Sequence, residues 1–228
     1  MVQGSDADVT VILPGEEGKS RTFEESRAHH QHVLRMLRPA LATTEGVQVT
    51  GLISETRVPV LQLLLPGNIS ADLSVENRQG CRKSSFISEH LRLSPFGPEL
   101  RETCLGIKHW AKRRGVYGQM NGFPSGLGFA CLTIFAAQCG DPTMALTLDP
   151  TQVHPYAQEW SLGRDADKEL VGRLLQLVFM FYAEELDWSA ECVSARVGRR
   201  CLRAQLPKFS SAILATPPDV LSIEDPVQ

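Results

Sequence analysis

The chain has 228 residues, 43% of them hydrophobic and 21% charged, with a formal net charge of -3. That composition excludes a wholly disordered chain, and it excludes a protein that coats nucleic acid by bulk charge, leaving only local basic sites open. No run of about 18 apolar residues occurs, so neither a transmembrane helix nor a membrane partner is expected. The length suits one large domain or two small ones. Cys81, Cys104, Cys131, Cys139, Cys192 and Cys201 contain no C-x-x-C pair. They read as reduced, mostly buried thiols of an intracellular protein, with the cytoplasm the expected compartment. The N-terminus shows no basic-then-apolar signal pattern.

In chain order, residues 6–13 alternate with period two. Ala7, Val9 and Val11 take one face, and Asp6, Asp8 and Thr10 the other. Pro14-Gly15 stops this strand. Phe23, Val33, Leu34, Leu37 and Leu41 make residues 22–41 an amphipathic helix. A strand is expected over 47–53. Residues 58–65, the turn Pro66-Gly67-Asn68 and residues 69–75 make a hairpin. Beyond residue 78 the pattern is helical. Pro98 opens one helix and Gly115 ends it, with Leu100, Cys104, Ile107 and Ala111 as its apolar stripe. A Gly-rich loop leads to an apolar helix over 127–138. A Pro-containing loop precedes a long helix over 168–186, and the pattern leaves 194–206 undecided between strand and helix. The expected fold class is α+β: a small α/β unit over 1–78 with a mixed sheet, then a mostly helical unit over 79–228.

Asp6 and Asp8 share one strand face, and Asp72 lies on the polar face of an otherwise apolar strand. Three carboxylates gathered at one spot repel each other unless cations lie among them. Two divalent metals about 3.5–4 Å apart could clamp an in-line displacement at a phosphate. The plainer alternative is solvated aspartates on an exposed sheet face.

Gly4-Ser5-Asp6-Ala7-Asp8-Val9 resembles the end of the active-site motif of DNA-polymerase-β-like nucleotidyltransferases. Four further stretches resemble terminal uridylyltransferases and noncanonical poly(A) polymerases: Val58-Pro59-Val60, Asp72 to Arg78, Ile107 to Val116, and Glu169 to Leu175 with Phe181-Tyr182 and Asp187-Trp188. The chain is thus similar to the terminal nucleotidyltransferase family, with blocks in the family's order. The resemblance implies a catalytic palm followed by a helical central domain. It implies addition of UMP or AMP, from UTP or ATP, to an RNA 3′ end without a template.

On that resemblance Asp6 and Asp8 would bind two Mg²⁺ or Mn²⁺ ions, and Asp72 the one that activates the 3′ hydroxyl. Lys108 and Lys112, one helical turn apart, would meet the triphosphate. Ser84, Ser125 and Gly126 would lie near the sugar and phosphates. The plainer reading of Lys108 to Arg114 is a solvated basic helix end. Where the family carries Ser-Ser-Tyr, this chain has Ser125-Gly126-Leu127, so a base-stacking ring must come from elsewhere.

The family's Gly-Ser turn upstream of its D-x-D strand has no counterpart here, and Ile223-Glu224-Asp225-Pro226 falls close to the last residue. Both ends read as clipped, so weak activity or none is expected from this chain alone. The alternatives are an inactive copy that binds RNA or a protein, and a second-messenger synthase. Asp165-Ala166-Asp167 reads as helix capping. His29, His30 and His32 read as a solvated helix face. Trp110, Phe179, Phe181, Tyr182 and Trp188 read as core. No feature signals an oligomeric state.

Overall fold

β1 (Ala7–Val11) runs parallel to β4 (Ile69–Val75), and β4 pairs antiparallel with β3 (Val60–Leu65), which pairs antiparallel with β2 (Gln48–Ile53). The sheet order is β1-β4-β3-β2. These assignments come from a computed structural model that describes residues 7–16, 20–118, 121–141, 164–205 and 223–224. The chain divides into two units, Met1–Cys81 and Arg82–Gln228.

In the first unit, α1 (Phe23–Ala42) begins at a capping box. The Glu25 N–H donates to Thr22 Oγ1 at 3.2 Å, and the Thr22 N–H donates to the Glu25 carboxylate at 2.8 Å. Leu34 is wholly buried, and Val33, Leu37 and Leu41 pack beside it against Leu61, Leu63, Leu73 and Val75. The helix therefore covers the apolar sheet face, and the alternation forces Asp8, Thr10, Asp72 and Ser74 onto the opposite one. The β3–β4 turn needs left-handed backbone at Gly67 (φ 81°) and Asn68 (φ 57°), which those two residues tolerate best. His29 and His30 are half-buried, unlike the solvated face expected, and burial lowers the His30 pKa. His29 Nε2 sits 3.8 Å from Glu16.

α2 (Arg78–Leu93) leads into the second unit, followed by α3 (Gly97–Arg114), α4 (Gly126–Gly140) and α5 (Lys168–Met180). The expected single helix over 168–186 ends early: a π-helical turn replaces it over Phe181–Glu185. α4 is buried along most of its length, as a helix apolar on all sides must be. Ile107, Phe129, Phe135, Val178 and Phe181 form the main core between α3, α4 and α5. Asp167 caps α5 through the Glu169 and Leu170 N–H groups, as the sequence suggested.

Residues 194–206 resolve into neither alternative alone. A small ladder joins β5 (Glu191–Cys192) to β6 (Cys201–Leu202), and one 3₁₀ turn follows over Arg203–Gln205. The six cysteines are free thiols; Cys131, Cys192 and Cys201 are buried, while Cys81, Cys104 and Cys139 are half-buried. The aromatic expectation needs correcting. Phe181 is core, but Trp110, Phe179 and Trp188 are each about two-fifths exposed and line an apolar pocket of about 310 Å³. They sit where helix faces run out of covering elements, which composition cannot reveal. The expected Pro loop before α5 falls largely outside the described residues. No described helix is long and apolar enough to cross a membrane.

Candidate active site

In the first unit Asp8 and Asp72 are register partners on neighbouring parallel strands. Partners in a ladder point to the same face, and adjacent strands lie about 4.8 Å apart, so the two carboxylates emerge side by side. Gln62 of β3 is the partner of Asp72 on its other flank. Asp8 is exposed and Asp72 half-buried. Asp6 lies outside the described residues.

Two carboxylates so placed repel unless a cation lies between them. Their oxygens are the hard donors that Mg²⁺ and Mn²⁺ prefer, so the donor set fits a divalent cation. Among the described residues no group of three or more His, Cys, Asp or Glu gathers. The described part of the site is thus this Asp pair.

The second unit builds a basic pocket from α3, the loop after it, and the start of α4. Gly115 (φ 71°) caps α3 in left-handed backbone and turns the chain back along it. Tyr117 therefore lies beneath Lys112, whose ammonium sits 5.2 Å from the ring centroid. The Tyr117 ring stacks on Phe129 of α4 at 6.0 Å and 7°. Ser125 caps α4 by accepting the Gly128 N–H at 3.3 Å. Gly126 leaves room for two neighbours. A Cβ there would stand 3.0 Å from Tyr117 Oη and 3.5 Å from Lys108 Nζ.

Lys108, Lys112, Ser125 and Gly126 are thus brought together at a helix N-terminus. Two ammoniums, a hydroxyl and a positive dipole end suit phosphate. Ser84 is not part of this group. It is exposed on α2, apart from the residues that surround Gly126. Tyr117 was missed as a site residue. Its proximity to Lys112 depends on the reversal at Gly115, and spacing along the sequence does not carry that.

The fold is that of a nucleotidyltransferase palm followed by a helical unit. Residues 1–91 match the family model described as "Poly(A) RNA polymerase, mitochondrial-like, central palm domain". Poly(A) RNA polymerase gld-2 of Caenorhabditis elegans is 25% identical over 206 residues, covering 78% of this chain and 18% of the relative. Terminal uridylyltransferase 4 of Trypanosoma brucei brucei is 25% identical over 150 residues, covering 62% of this chain and 43% of the relative. The solved structure of terminal uridylyl transferase 4 from Trypanosoma brucei with bound UTP and UMP superposes with a TM-score of 0.71 at 23% identity, over 99% of this chain and 73% of that one. At that identity the superposition establishes the fold. The chain is thus similar to noncanonical poly(A) polymerases and terminal uridylyltransferases, with the family-model match confined to its first 91 residues. It spans less than half the length of the two curated relatives.

Proposed function

We propose that this chain is the core of a template-independent RNA 3′-terminal nucleotidyltransferase that transfers UMP or AMP from the triphosphate. The observation that carries the reading is the register pairing of Asp8 with Asp72 on the sheet face opposite α1. A second support is that the uridylyl transferase structure carries UTP and UMP.

Asp8 and Asp72, with Asp6, would hold Mg²⁺ or Mn²⁺. Such ions lower the pKa of the attacking 3′ hydroxyl and offset charge on the phosphate oxygens. Asp72 sits on β4, an inner strand of the four-stranded sheet paired on both sides, by β1 and β3, which keeps its backbone rigid. Lys108 and Lys112 hold the β and γ phosphates and balance the charge that builds on departing pyrophosphate. The Ser125 hydroxyl and the first N–H groups of α4 orient the same phosphates. Tyr117 fixes Lys112 so that little side-chain freedom is lost on binding. Free thiols throughout are compatible with a reducing, cytoplasmic setting.

The test is extension of a labelled RNA oligonucleotide with each nucleotide separately, in Mg²⁺ and in Mn²⁺, with Asp72→Ala as control. Extension that depends on Asp72 is the expected result, and the preferred nucleotide assigns uridylyl or adenylyl transfer. No extension by a well-folded full-length protein, with any nucleotide, would refute the proposal and favour an inactive RNA- or protein-binding copy.

A further inference from the structure

Among the described residues β1 is an edge strand of five residues with one partner, β4. It reaches β4 only after a crossover through α1, β2 and β3, so no tight turn sets its register. The apolar alternation holds it weakly, since Val9 on the core face is 45% exposed. Yet register matters more here than anywhere else in the sheet. A slip of one residue turns Asp8 to the covered face, and a slip of two leaves it opposite Ser70 or Ser74.

Glu76 stands where β4 ends, and it is one of two non-glycine residues in left-handed backbone (φ 53°) among the described residues. Its main-chain N–H donates to the Val11 carbonyl at 2.9 Å. Its carboxylate accepts the Leu13 N–H at 2.5 Å through one oxygen and Arg78 Nε at 2.7 Å through the other. The carboxylate thus grips the chain two residues past the end of β1, while Arg78 holds it in place. Glutamate has no preference for positive φ, and a residue held there is strained. Such strain persists only where surrounding bonds fix it, and here they are bonds to β1.

We infer that Glu76 is a positioning residue that pins β1 against β4 and so sets Asp8 opposite Asp72. The inference rests on the metal-site reading above, and the test separates the two. The full chain would be compared as wild type, Glu76→Ala, Glu76→Gly and Asp72→Ala. One readout is amide hydrogen exchange resolved to residues 8–13. The other is Mn²⁺ affinity, measured from the free-ion electron paramagnetic resonance signal.

The expected result is faster exchange confined to β1 in both Glu76 variants, with β3 and β4 still protected. Mn²⁺ affinity falls about tenfold, as loss of a supporting contact behind metal ligands commonly causes. Glu76→Gly is the sharper variant, because it relieves the backbone strain while removing the carboxylate. If Glu76→Gly keeps β1 protected, the residue is there for its backbone angle and the inference is overturned. Wild-type Mn²⁺ affinity with a loosened β1 overturns it too. If β1 loosens but neither wild type nor Asp72→Ala binds Mn²⁺, the pin stands and the functional proposal fails instead.

Discussion

Arg164 grips Glu99 with both ends of its guanidinium: Nη1 meets Oε1, and Nη2 donates to Oε2 at 2.8 Å. The Glu99 side chain is wholly buried in the first turn of α3, and the Asp167 N–H adds a third bond at 2.8 Å. One carboxylate therefore ties the start of α3 to the cap of α5. The Arg164 bonds hold its pKa at about 2, against an ordinary value of 4.5, even though burial pushes the other way. Because the folded pKa lies below the unfolded one, this stabilisation is complete above about pH 5. It fades as pH falls from 4.5 towards 2. A shift of that size corresponds to roughly 3 kcal/mol. Glu99→Gln is expected to lose about 2–4 kcal/mol at pH 7, because Arg164 keeps only a neutral partner. Urea unfolding of both proteins at pH 7, 5, 4 and 3 checks this: the difference narrows on acidification. A difference that stays constant with pH would show that the carboxylate charge is not what matters.

If the proposed function holds, with Asp72 as a metal ligand, Asp72→Ala lowers nucleotide addition by about 10²-fold or more. The fold is expected to survive, since Asp72 is only half-buried on the face opposite α1, while the core face of β4 is Ala71, Leu73 and Val75. Circular dichroism and a melting curve without metal would show a near-wild-type protein. Thermal stabilisation by added Mn²⁺ would disappear in the variant. An unfolded variant would sink this account of the face.

The palm was the most legible part of the chain. Alternation at Ala7–Val11 and Ile69–Val75 needs only the two-residue period of a strand, and it correctly separated Asp8 and Asp72 from the core. The hairpin at Pro66-Gly67-Asn68 announced itself by residues that accept positive φ. The π-helical turn at Phe181–Glu185 did not, because no residue pattern in the sequence marks a change in helical hydrogen-bond register. The pairing of Lys108 and Lys112 followed from helical spacing. Their meeting with Tyr117 and Gly126 did not, because it is made by a reversal at Gly115. Glu76 stayed hidden for a related reason: nothing in a glutamate advertises left-handed backbone.

Gly126→Ala separates packing from function at the basic pocket. Alanine in the first turn of α4 gains up to about 1 kcal/mol of helix stability over glycine. Its methyl carbon, however, would stand 3.0 Å from Tyr117 Oη and 3.5 Å from Lys108 Nζ. Those groups must move, and misplaced phosphate ligands are expected to raise KM for the triphosphate about tenfold. Melting temperature should hold or rise slightly. An unchanged KM in steady-state kinetics would remove Gly126 from the nucleotide site.

Gly140, the last residue of α4, meets Leu177 of α5 at close range. A Cβ at Gly140 would lie 2.8 Å from Leu177 Cδ1, nearer than a Cβ atom is found to approach, and 3.1 Å from Cγ, tighter than ordinary van der Waals contact. The leucine cannot swing clear by its tip alone, because Cγ is also in the way. Gly140→Ala is therefore expected to cost about 1–3 kcal/mol through overpacking. Leu177→Ala removes the clash and leaves a shallow gap, since Leu177 is only half-buried. The double variant should then be more stable than the sum of the two single losses predicts, a coupling of about 1 kcal/mol that denaturant unfolding can resolve. Strict additivity would mean that α4 and α5 separate to accept the methyl group, and that the contact does not set their spacing.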